Sequence, residues 1–158
     1  MFIREMSSQE CSELLLRVRF GRLACALDGQ PYVVPIYFAY ESDCIYGFST
    51  LGQKIEWMRL NPRVCLEADE VQSYSEWATV VLHGRYEELP DTPAYSTRRR
   101  HAQSLLEDRS AWWQTGFAAS QVRIEFNRDV PIFYCIHITE TTGHHASPNP
   151  AEAGMARA

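Results

Sequence analysis

The stretch Tyr32-Val33-Val34-Pro35-Ile36-Tyr37-Phe38-Ala39-Tyr40 constrains this chain more than any other part of it. Its β-branched and aromatic residues favour a strand, and it is apolar at odd and even positions alike. A strand with two apolar faces has to be covered on both, inside a barrel or at an interface. Asp28-Gly29, just ahead, is a two-residue hairpin signal because both positions tolerate positive φ. The run Leu23 to Leu27 supplies the partner strand. Pro35 cannot donate to a ladder, so the strand is at an edge there, bulged, or left open for another molecule.

The remaining elements follow from periodicity and turn chemistry. Ser7-Ser8-Gln9-Glu10 reads as a capping box opening a helix over about 8–18, with Cys11, Leu14, Leu15 and Val18 on one face. Gly21 is the expected left-handed residue that ends it. Glu41-Ser42-Asp43 turns the chain into a strand from Cys44 to Phe48. Leu51, Ile55 and Met58 mark a short helix over 51–60, stopped by Asn61-Pro62. Strands over 63–68 and 77–86 come next, then a charged helix over 92–108 and strands near 121–127 and 131–139. The class is mainly β (α+β): about six or seven antiparallel strands with flanking helices, closed as a small barrel. Residues 1–140 make one domain. Residues 141–158, rich in Gly, His, Ser, Pro, Asn, Ala and Glu, read as a flexible tail that buries too little to offset its ordering entropy.

Charge and cysteine usage exclude several classes. Twenty acidic against fifteen basic residues give a net charge of −5, which argues against a nucleic-acid partner, since neutralising phosphates needs a basic face. Arg98-Arg99-Arg100-His101 is then the solvated side of a helix. The cysteines at 11, 25, 44, 65 and 135 form no Cys-x-x-Cys pair, which points to free thiols in a reducing cytoplasm rather than to disulfides or structural zinc. No apolar run is long enough for a leader or a membrane span, so a cytoplasmic protein with no membrane partner is expected. Cys135 and His137 share a face of the last strand, with His144-His145 beyond. A satisfied strand histidine and a solvated tail account for them more simply than a metal or haem site, and no metal is expected. Trp112, Trp113 and Phe117 could roof a ligand pocket, meet a partner subunit or pack in the core.

The chemistry concentrates in Phe48-Ser49-Thr50-Leu51-Gly52-Gln53-Lys54, which leaves a strand and enters a helix. Free backbone N–H groups at a helix start, with the hydroxyls of Ser49 and Thr50 beside them, suit an anion. Lys54 in the first turn opposes the helix dipole at a cost of about 0.3–1 kcal/mol, and a bound anion would reverse that sign. The alternative is a Thr-capped surface helix.

These residues, followed by Asn61-Pro62-Arg63, resemble the pyridoxamine 5'-phosphate oxidase-like flavoproteins, in which Asn-Pro-Arg follows the phosphate-binding helix. Asp28-Gly29-Gln30-Pro31, Val33 to Tyr37, Gly84-Arg85 and Thr142-Gly143 resemble the branch that includes nitroimidazole-resistance proteins. The likeness runs over roughly residues 5–145 and rests on the order and spacing of these motifs. It implies a split β-barrel that binds flavin mononucleotide (FMN) as a homodimer, with the flavin in the groove between subunits. Ser49 and Lys54 would hold the FMN phosphate, assisted by Thr50 and Gln53. The backbone of Val34, Pro35, Ile36 and Tyr37 would run along the isoalloxazine ring, with Thr79 near the flavin. Pro35 would then mark where the flavin edge meets the strand, unless it is an ordinary edge-strand proline. True oxidases carry an arginine and a lysine where this chain has Val34 and Ala39, and their arginine-rich C-terminal segment is missing. The likeness therefore implies an FMN-dependent oxidoreductase acting on a small molecule other than vitamin B6, and no catalytic side chain is named because the flavin carries the chemistry. The alternatives it leaves are a non-catalytic flavin-binding or storage protein and a haem-binding or haem-degrading relative.

Overall fold

The computed structural model describes residues 1–117 and 131–148, and side chains over 1–107 and 131–148. In chain order the elements are β1 (Phe2–Glu5), α1 (Ser8–Arg17), β2 (Phe20–Leu27), β3 (Gln30–Tyr37), β4 (Ala39–Glu41) and β5 (Cys44–Ser49). There follow α2 (Gln53–Leu60), β6 (Arg63–Ser73), β7 (Glu76–Leu89), α3 (Ser96–Phe117) and β8 (Ile132–Ser147). The sheet runs β3-β2-β6-β7-β8-β5-β4, with β1 also on β8, and its pairings are antiparallel.

The two ends of that order, β3 and β4, are separated in the chain by Phe38 alone. One residue reaches only about 3.3–3.6 Å, so the sheet has to curl until its edges meet. Phe38 N–H donates to Arg19 C=O at 3.0 Å, carrying the β2–β3 pairing one residue further, up to the start of β4. The result is a split β-barrel with helices around it, as the sequence implied. Its interior holds Leu23, Cys25, Ile36, Val64, Leu66, Val80, Leu82 and Ile136, together with Leu14 and Leu15 of α1 and Ile55 and Met58 of α2. Tyr134 is fully buried there and its hydroxyl has no hydrogen-bond partner among the described residues. Gly47 makes room for that ring, since a Cβ at Gly47 would lie 2.5 Å from the Tyr134 oxygen. A second, smaller core under α3 gathers Ala39, Leu89, Ala102, Leu106, Phe133 and Cys135.

Local chemistry explains the turns. Asp28 and Gly29 both have positive φ (50° and 79°), giving the tight β2–β3 hairpin, and Ser42 and Asp43 (50° and 60°) do the same between β4 and β5. The capping box forms: Ser7 Oγ accepts from Glu10 N–H at 3.3 Å, and Glu10 Oε2 accepts from Ser7 N–H at 2.8 Å. Arg4 of β1 adds a fork onto the same carboxylate at 2.6 and 3.1 Å. These donors, the Arg4 guanidinium first, hold the Glu10 carboxyl down at about 2. A depressed carboxyl contributes stability that is whole above its ordinary value of 4.5 and is lost as pH falls towards 2. Glu10→Gln is thus expected to lower the urea midpoint at pH 7, and the gap to the native chain should close between pH 5 and about 2. An unchanged gap at pH 2 would show that the ion pair does not exist in solution.

Several sequence expectations are corrected. Gly21 does not cap α1, which ends at Val18 in an extended conformation. Gly21 lies inside β2, where a Cβ would be 2.7 Å from the Glu67 carbonyl oxygen. Residues 141–147, read as part of a flexible tail, are the second half of β8, paired with β7 and with β1. Their exposed residues are polar and the buried ones, Gly143 and Ala146, are small, so the ladder holds them without an apolar signature. Arg98 and Arg99 are not simply solvated: Arg98 forks onto Glu87, and Arg99 donates to the carbonyls of Leu89 and Pro131, each at 3.0 Å. The strand expected near 121–127, the side chains of Trp112, Trp113 and Phe117, and tail residues 149–158 lie outside the described residues.

Candidate functional site

Ser49 is the last residue of β5, half-buried and opposite Ile132 of β8. Thr50, Leu51 and Gly52 are exposed and lead into α2. Gly52 takes the N-cap position with an extended φ of 176°, and no side chain caps the helix. The first-turn N–H groups are therefore left to an outside acceptor. A Cβ on Gly52 would meet nothing within 4 Å, so the space beside this backbone is open. The Thr-capped alternative is not what forms.

Lys54 gives the segment its electrostatic character. Its side chain is half-buried, and burial pushes the ammonium below its ordinary pKa, with only the thiol of Cys25 acting against that shift. Among the described residues no carboxylate pairs with it, whereas the arginines at 4, 17, 22, 59 and 98 each pair with one or two. A half-desolvated cation without a counter-charge among the described residues, at an uncapped helix start beside two hydroxyls, has the chemistry that suits a phosphate-like anion. Gln53, the first helical residue, is exposed next to it.

The other predicted residues form a separate group. On β3, Val34 is half-buried and Ile36 buried, facing the interior, while Pro35 and Tyr37 are exposed on the outer face. β3 is an edge strand, which is where a proline without an N–H belongs. Pro35 stands opposite Arg22 of β2, whose guanidinium bonds to both Glu67 and Asp69 of β6. Thr79 of β7 donates to Glu67 Oε1 at 3.0 Å. Thr79 and the outer face of β3 are thus joined by a polar row across the barrel wall. Arg22, Glu67 and Asp69 were missed in the sequence, although Glu67 and Asp69 at alternate strand positions were a usable signal. Lys54, beside inward-facing Cys25, is on the other side of that wall from Thr79. Within one chain the two groups do not converge.

Ala39, where oxidases carry a lysine, is fully buried under α3. A cation there would be desolvated, so the departure at this position is structural as well as chemical.

The sequence matches the pyridoxamine 5'-phosphate oxidase family over residues 7–145. This chain belongs to that family. It is 42% identical to an uncharacterized protein of Rhizobium meliloti over 146 residues, 92% of this chain and 97% of that one. A FAD-binding protein from Mesorhizobium loti has a solved structure that superposes with a TM-score of 0.76 at 44% identity, covering 93% of this chain and all of the other. A Bacteroides thetaiotaomicron structure, put forward as a 5-nitroimidazole antibiotic resistance protein, shares the fold at 20% identity, with a TM-score of 0.63 over 92% and 89% of the two chains. The family expected from the motifs is thus shown over most of the chain, and the Bacteroides structure shares its fold. Among the described residues no helix is long and apolar enough to cross a membrane.

Proposed function

We propose that this protein binds a flavin nucleotide by its ribityl-side phosphate at Ser49–Lys54 and acts as a flavin-dependent oxidoreductase on a small molecule other than vitamin B6. The observation that carries the reading is Lys54, a half-buried ammonium with no carboxylate partner among the described residues, at an uncapped helix start. Bound flavin would supply the electron-transfer chemistry, leaving the chain to bind and orient. Lys54 and the α2 amides neutralise the phosphate, the hydroxyls of Ser49 and Thr50 donate to it, and Gln53 stands within the same turn. The phosphate contact is common to FMN, the expected cofactor, and to FAD, which the Mesorhizobium relative binds. The exposed run Thr50 to Gln53 leaves room for an adenylate beyond the phosphate.

The flavin ring would lie along β3, between two copies of the chain. The outer face of β3 supports that pairing: Val33 is 60% and Tyr37 44% exposed, with Phe20 of β2 at 42% stacked edge-on against Tyr37. An apolar edge of this kind is covered in a stable assembly.

Fluorescence titration of the flavin-free chain with riboflavin, FMN and FAD tests the reading. FMN and FAD are expected to bind at least about tenfold more tightly than riboflavin, as a charge-assisted phosphate contact requires. Equal affinity for all three would remove the phosphate site, and no binding would remove the flavin altogether. Bleaching of the bound flavin by a reduced nicotinamide, followed by turnover with an added acceptor, distinguishes an enzyme from a carrier.

A further inference from the structure

We propose that Glu87, Cys135 and His137 form a divalent transition-metal site on the barrel wall beneath α3, with zinc the best-matched ion. Adjacent strands β7 and β8 bring the three together: Glu87 stands opposite Cys135, and Cys135 and His137 alternate on one face. One donor atom from each lies within 4.8 Å of the others. Cys135 Sγ is 3.4 Å from His137 Nε2 and 3.6 Å from Glu87 Oε2. A tetrahedral zinc, with bonds of about 2.3 Å to sulfur and 2.0–2.1 Å to nitrogen or oxygen, sets its ligand atoms roughly 3.3–3.6 Å apart. Both sulfur distances already match. His137 Nε2 and Glu87 Oε2, now hydrogen-bonded at 2.6 Å, have to part by roughly 0.8 Å. His137 is on the exposed side of the cluster and is free to make that turn.

The surroundings support the ligands. Cys44 Sγ lies 3.5 Å from His137 Nδ1, so the imidazole can keep its proton on Nδ1 and offer the Nε2 lone pair inward. Arg98 holds Glu87 through both oxygens at 2.7 Å and can keep Oε1 while Oε2 turns to a metal. Its guanidinium also reaches Cys135 Sγ at 3.3 Å. Carboxylate, thiolate, guanidinium and a dication sum to a modest local charge, with the thiol proton released to solvent on binding. Cys135 is buried and Glu87 half-buried, while His137 leaves an entry path and an open fourth position for water or a small ligand. The cluster sits at the Cys44 end of β5, about 17 Å along the strand from Ser49, so it is independent of the phosphate segment.

Cobalt(II), added to the metal-stripped full-length chain, reads this site directly. Saturation of a thiolate-to-cobalt charge-transfer band at one equivalent is expected, and zinc should bleach it. Cys135→Ala should abolish the band, and His137→Ala should weaken binding by more than the roughly 10–100-fold typical of losing only a supporting contact. Glu87→Gln, which leaves the thiol in place, should keep the band but require more cobalt, and so guards against a misfolded cysteine variant. The double change His144→Ala with His145→Ala should have no effect. Absence of the band, its survival in Cys135→Ala, or its loss with the tail histidines would each overturn the site.

Discussion

Lys54→Met is expected to weaken FMN binding by about 30- to 100-fold while leaving riboflavin binding unchanged. The phosphate would lose a charge-assisted hydrogen bond worth about 2–3 kcal/mol in a partly desolvated place, and riboflavin has no phosphate to lose. The same change should leave the flavin-free chain as stable as before, or up to about 1 kcal/mol more stable. Methionine has nearly the reach of lysine, and the half-buried ammonium it replaces carries a desolvation penalty that no carboxylate among the described residues offsets. That gain is kept small because the side chain is only half-buried and solvent still screens it. Its sign in pH is equally defined. A lysine whose folded value is depressed binds fewer protons than the unfolded chain as pH climbs towards its ordinary 10.5, so its penalty is relieved in that direction. Lys54→Met should flatten this alkaline rise. Affinity and stability moving in opposite directions is the signature of a receptor charge. If riboflavin suffers as much as FMN, Lys54 is supporting the helix and not the phosphate.

Why this site was legible, and the metal cluster was not, comes down to sequence distance. The phosphate segment is contiguous: its turn, hydroxyls, lysine and helix start lie within a few residues, and the rule connecting them is local. The β2–β3 hairpin and the capping box were visible for the same reason. Pro35 narrowed its strand position to an edge, a bulge or an open place because a missing donor is a property of one residue. Glu87 and Cys135, in contrast, are brought together only by the register of β7 on β8, which one sequence does not disclose. Residues 141–147 were misread because composition measures burial, whereas the second half of β8 is held by backbone pairing on both sides. β1 escaped notice for the converse reason. Phe2 and Ile3 are 62% and 47% exposed, so its apolar residues mark no inner face, and what orders it is pairing to β8 and the Arg4–Glu10 fork. The basic run at 98–101 looked like a solvated face because its partners, Glu87, the carbonyls of Leu89 and Pro131, and Glu41, come from two strands and a loop distant in sequence.

Gly84→Ala is expected to lower stability by about 3 kcal/mol, or roughly 6–12 °C in Tm for a chain of this size. Gly84 sits where β7 and β8 slip register: His83 faces Glu140 and Gly84 faces Ile138, leaving Thr139 as the extra residue. Thr139 Oγ1 donates back to the His83 carbonyl at 3.1 Å and stitches the irregularity. A Cβ on Gly84 would lie 2.6 Å from Ile136 Cγ2 and 2.7 Å from the His137 carbonyl oxygen. Ile136 is fully buried and the carbonyl is part of the strand backbone, so neither can retreat without opening the ladder. Overpacking against a yielding side chain costs about 1–3 kcal/mol, and contact with backbone puts this position at the upper end. Gly52→Ala is the matched control: its backbone is extended and its Cβ would meet nothing within 4 Å, so only the N-cap preference for glycine is lost and stability should fall by less than about 1 kcal/mol. Thermal melts of the two variants without flavin decide the point. Equal Tm values would mean that β8 does not lie against β7 in this register, and the convergence of Glu87 with Cys135 and His137 would fall with it.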